Sequence, residues 1–99
     1  MRDPRDLDFR YDEGKWTLRQ VFMHVIDAER VFAYRAMCIS RGEKGALPGF
    51  DQDEYMANTD YSHLNTLDIL REFNGLRAST ISLVQNLSET PHYRLQQKP

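Results

Sequence analysis

The chain has 99 residues, enough for one small domain and a modest core. With 40% hydrophobic and 28% charged residues it reads as a folded chain, not a disordered one. The net charge of −2, with acids and bases interspersed, does not point to a polyanion partner, and nucleic-acid binding is not expected.

Cys38 stands alone, which rules out an intrachain disulfide and fits a reducing compartment. The opening MRDPRDLDFRYDE is too charged for a signal peptide, and no apolar run reaches membrane length. The expectation is a cytoplasmic protein with no membrane partner. Residues 1–14 read as an N-terminal arm, punctuated by Pro4 and Gly14, with Phe9 and Tyr11 as scattered aromatics.

A long amphipathic helix is predicted over 17–40. Thr17 suits the N-cap and Gln20, three residues on, completes a capping box. Trp16 and Val21 have the spacing of a hydrophobic staple. Gly42 suits the C-terminal stop. Leu18, Val21, Phe22, Val25, Phe32, Ala36 and Ile39 recur at spacings of three and four and form the expected core stripe. His24 stands at its edge, with Asp27, Ala28, Val31 and Arg35 on the following turns.

Residues 41–50 are a loop with Leu47 and Phe50 as its apolar anchors. Its Gly-Glu-Lys-Gly lacks the spacing of a phosphate loop. Residues 51–57 suit a short helix with acids at its start. Asp51, Asp53 and Glu54 miss the calcium-loop spacing, with no glycine sixth and no glutamate twelfth. Residues 58–65 are turn chemistry, where His63 reads as a solvated side chain. A second long helix is predicted over 67–87, capped by Asn65 with Asp68 or by Thr66. Leu67, Leu70, Phe73, Leu76 or Arg77, Thr80 or Ile81, Val84 and Leu87 give its stripe. Gly75 inside it suggests close approach of the first helix. Arg77, within this stripe, either snorkels to solvent or pairs with a carboxylate across the bundle, with Asp27 as the candidate partner. The C-terminal tail, residues 89–99, is broken by Pro91 and carries an isolated His92 four residues before Gln96.

Several of these stretches, taken together, resemble the DinB/YfiT-like superfamily. They are Trp16-Thr17, His24, Asp27-Ala28-Glu29-Arg30, Phe32-Ala33-Tyr34-Arg35, the loop from Leu47 to Tyr55, Glu72-Phe73 and Arg77. The resemblance spans about residues 11 to 88. It implies a four-helix bundle, often dimeric, with a divalent metal held by three histidines. His24 matches the first of these ligands. The other two belong to a last helix that has no counterpart here. The expected fold is therefore all-α: two long antiparallel helices and a short one, half of a DinB-like bundle. It forms a single incomplete domain over 1–99.

Two rods cannot bury Phe22, Phe32, Met37, Phe73, Ile81 and Leu83 together, so a homodimer is expected to complete the bundle. The resemblance implies a divalent-metal enzyme of unknown substrate, of thiol S-transferase or hydrolase type. Zinc or nickel is the candidate metal, His24 the candidate ligand and a small thiol the candidate substrate. Cys38 lies near a helix C-terminus, where the dipole disfavours a thiolate, and is no nucleophile. No catalytic residue and no cofactor-binding residue is assigned. The alternatives are a metal-free homodimeric interaction module that has lost the site, and a fragment that needs further helices.

Overall fold

The computed structural model describes residues 6–87. Three helices follow in order: α1 (Leu18–Ser40), α2 (Gln52–Ala57) and α3 (Thr66–Leu87). Among the described residues there is no named strand, only an isolated bridge between Arg10 and Thr17.

Each helix begins where side chains can satisfy its exposed amides. The Thr17 side chain accepts from the Gln20 amide, and the Gln20 side chain accepts from the Thr17 amide at 2.9 Å. This is the expected capping box. The Asp51 carboxylate caps α2 by accepting from the amides of Asp53 and Glu54. Asn65 and Asp68 cap α3 reciprocally, at 3.0 and 2.9 Å. At the other end of α1, Gly42 takes φ 91° and its amide bonds the Ile39 carbonyl. The left-handed conformation turns the chain out of the helix and favours glycine there.

The relative direction of the long helices differs from the expected one: they run the same way. Arg19 of α1 donates to the Leu64 carbonyl just before α3, Arg30 pairs with Glu72, and Glu29 pairs with Arg77. The partners advance together along both chains, as parallel rods require. The cause is the connection over 41–65. A short loop forces antiparallel neighbours. This one, at about 3.3 Å per extended residue, is long enough to return along the whole rod and carries α2 on the way.

That return path also decides which face is buried. The core is Leu7, Met23, Ile26, Met56 and Ile69, with Trp16, Tyr61, Leu64, Phe73 and Leu76 packed against it. The arm takes part: the carbonyls of Phe9 and Leu7 accept from the amides of Leu18 and Arg19, and Asp8 pairs with Arg19. The arm, the connection and α2 thus cover one flank of the α1–α3 pair. The stripe expected as core is largely outside it. Phe22, Val25, Phe32 and Ile39 on α1 stay exposed, as do Leu67, Leu70, Ile81 and Val84 on α3. Periodicity marks that stripe as apolar, but the described residues place nothing over it.

Gly75 does not mark close approach of the first helix. It is exposed, and a Cβ added there meets nothing within 4 Å. Its φ is not in the left-handed range. Gly75→Ala is therefore expected to stabilise the chain by about 1 kcal/mol through helix propensity. A urea melt showing a loss instead would mean that the backbone is strained at this point.

Candidate metal site

His24 lies on the second turn of α1, where the arm and the return loop meet the helix. Its ring centroid is 5.2 Å from that of Trp16, tilted by 55°. Phe50 stacks on it at 6.5 Å and 30°. Tyr55, the fourth residue of α2 after its cap, lies 5.6 Å from Phe50. Trp16 is placed by the capping box, since it immediately precedes Thr17. Phe50 is placed by the loop, which Arg35 pins by donating to the Pro48 carbonyl at 3.1 Å.

The imidazole is held by rings and not by a hydrogen bond at Nδ1, which is buried without a partner. A histidine kept only for packing normally has such a nitrogen bonded. Trp16 thus does more than staple Val21, which remains partly exposed.

Asp27, one turn on, faces elsewhere. Its carboxylate lies 4.0 Å from Arg30 and accepts from the Tyr61 hydroxyl at 3.4 Å. Burial, and then the Asp27 charge, push the Tyr61 hydroxyl above its ordinary pKa. Arg30 reaches on to Glu72 at 2.6 Å and ties α1 to α3. The expected Asp27–Arg77 pair is not formed. Arg77 bonds Glu29 at 2.7 Å and lies over the Phe73 ring at 5.0 Å. Glu29 wins because it is two residues further along α1, on the side that faces α3.

His63 is exposed on its loop, as read from the sequence. His92 and Gln96 lie outside the described residues. Among the described residues, no three or more His, Cys, Asp or Glu side chains converge as a metal would need. His24 offers one donor atom in a preformed aromatic setting. The described residues therefore fit one coordination position and not a complete site.

The DinB superfamily profile matches residues 2–98. The chain belongs to the DinB superfamily. A curated member-like relative, named a "putative metal-dependent hydrolase", comes from Oceanobacillus iheyensis. It is 26% identical over 84 residues, covering 85% of this chain and 48% of the relative. The chain thus spans about half the length of that relative. No solved structure matches significantly.

Tyr61 is the contact that ties the turn before α3 to Asp27. Nothing in its local pattern signals this, because the partner lies on another element. Cys38 is half-buried on the last turns of α1 and takes no part in the His24 setting. No described helix is long and apolar enough to cross a membrane.

Proposed function

We propose that this DinB-superfamily chain binds a divalent metal, zinc or nickel, and serves hydrolysis or thiol transfer on a small substrate. His24 supplies one ligand. The remaining ligands come from residues outside the described segment or from a second copy. The observation that carries the reading is the buried, unpartnered Nδ1 of His24, in a ring clamped by Trp16 and Phe50. The name of the Oceanobacillus iheyensis relative supports the metal and the hydrolase class.

The clamp defines what this chain itself contributes. Two aromatic neighbours fix the imidazole plane and exclude water from Nδ1, so ordering the ring on binding costs little entropy. The test is a melt with and without zinc or nickel, for the parent and His24→Ala, followed by ester-hydrolysis and thiol-transfer assays. A ligand that binds only the folded chain raises its melting temperature. Metal is expected to raise that of the parent and leave the variant unmoved, and activity is expected to vanish with chelator and with the variant. Equal responses of both proteins, or activity indifferent to chelator, would overturn the reading.

The metal-free interaction module is the second reading. The uncovered apolar face of α1 and α3 favours it. It predicts no metal response from either protein.

A further inference from the structure

Residues three, four and seven apart share one face of a helix. On α3 this spacing puts Arg77, Thr80, Ile81 and Val84 together, and on α1 it puts Glu29 beside Phe32. The two faces bound a pocket of about 310 Å³ lined by these side chains. That volume lies at the small end of ligand pockets. His24 and its neighbouring rings are not part of this wall.

The polar groups in the pocket are incompletely bonded. The Glu29 side chain is only 12% exposed, and Arg77 satisfies its Oε1 at 2.7 Å. Its Oε2 is buried without a partner. Thr80 is 8% exposed, and its hydroxyl is buried without a partner as well. A helical threonine often turns its hydroxyl back on a carbonyl of the preceding turn, and this one does not. Buried polar atoms left unbonded are unfavourable, so two of them in one pocket point to a group that bonds both. The Arg77 side chain is half exposed and holds Glu29 through one of the five donors of a guanidinium.

Charge decides the class of that group. Arg77 already balances Glu29. An amine alone would set a second cation beside Arg77, and a carboxylate alone would meet the Glu29 charge. A ligand carrying both signs avoids each repulsion. The open oxygen and the guanidinium lie on either side of one carboxylate group, so the two charges of the ligand must also be close together. An α-amino acid has that form. The half-exposed Phe32, Ile81 and Val84 give an apolar wall for an aliphatic side chain.

We propose that this pocket binds an α-amino acid with an aliphatic side chain. Its ammonium donates to Glu29 Oε2 and the Thr80 hydroxyl. Its carboxylate accepts from Arg77, and its side chain lies against Phe32, Ile81 and Val84. Exposed side chains change rotamer within nanoseconds, so Phe32 and Arg77 turn aside to admit it. Further polypeptide over α1 and α3 would roof the pocket and leave these walls in place. The site does not depend on the metal reading.

Calorimetric titration of L-leucine into the chain, with a chelator present, tests this and keeps metal out of the result. One leucine per chain is expected to bind with a Kd below about 1 mM. Two probes keep its tail and drop one charge: 3-methylbutylamine lacks the carboxylate and 4-methylpentanoate lacks the ammonium. Each is expected to bind at least about tenfold more weakly. Thr80→Val keeps the shape of the side chain and removes the hydroxyl. It is expected to raise the melting temperature, because an unbonded buried group is gone, and to weaken leucine about tenfold. A Thr80 that matters only for packing would give the same melting temperature shift with leucine binding unchanged, and that result would overturn the proposal. So would an amine that binds as tightly as leucine. Absence of saturable binding up to about 10 mM leucine, as when a polypeptide segment fills the pocket, would overturn it too.

Discussion

Replacing Ile26 by Ala is expected to lower the unfolding free energy by about 3 kcal/mol, within the usual range for a large apolar side chain cut back in a core. Ile26 is 1% exposed and is the one fully buried large side chain among the described residues. It belongs to one apolar cluster with Leu7 of the arm and Ile69 of α3, and the three line the same cavity. Removing three carbons there loses their transfer free energy and leaves a void that three separate elements would have to move to fill. The core is small, so few other contacts can compensate. Urea unfolding at one fixed chain concentration checks this, since association would make stability depend on concentration. A loss below about 1 kcal/mol would mean that the described core is not what holds the helices together.

Replacing Arg77 by Ala is expected to cost about 2 kcal/mol. A fully buried pair broken from one side costs about 3–5 kcal/mol, and the half exposure of Arg77 lets solvent reduce that. The loss falls on Glu29, whose carboxylate would keep its burial and lose its cation. Removing both charges together, as Glu29→Leu with Arg77→Leu, is expected to recover most of the loss, because apolar replacements leave no stranded charge. The comparison of the two variants in the same urea titration is the check. An Arg77→Ala loss below about 0.5 kcal/mol would make the pair an ordinary surface contact. Equal losses in both variants would place the effect in packing against Phe73.

The helices were legible because their ends are written locally. Thr17 with Gln20, Asn65 with Asp68, and Gly42 each act within a few residues, so spacing alone finds them. The short α2 was legible for the same reason, through Asp51 and the acids that follow. What local spacing does not encode is how the connection over 41–65 runs. Its return path makes the long helices parallel, chooses Met23 and Ile26 for burial, and leaves Phe22 and Phe32 outside. Periodicity names an apolar face, but only the path of the rest of the chain decides whether that face is covered.

The site shows the same division. His24 was singled out by its place at the edge of the stripe and by the family resemblance. The ring contacts with Trp16 and Phe50 were not, since Trp16 lies outside the helix that carries His24 and Phe50 comes from the loop beyond its far end. Glu29 rather than Asp27 as the partner of Arg77 was equally hidden. The two acids are two residues apart on α1, and which one faces α3 depends on helix rotation, which parallel packing sets.

The most direct test of the account is the metal content of purified protein, by elemental analysis, for the parent and His24→Ala side by side. The account predicts bound zinc or nickel in the parent, near one per chain or one per pair of chains, and background levels in the variant. No metal in either protein, or the same content in both, would contradict it and leave His24 as a packing residue between Trp16 and Phe50.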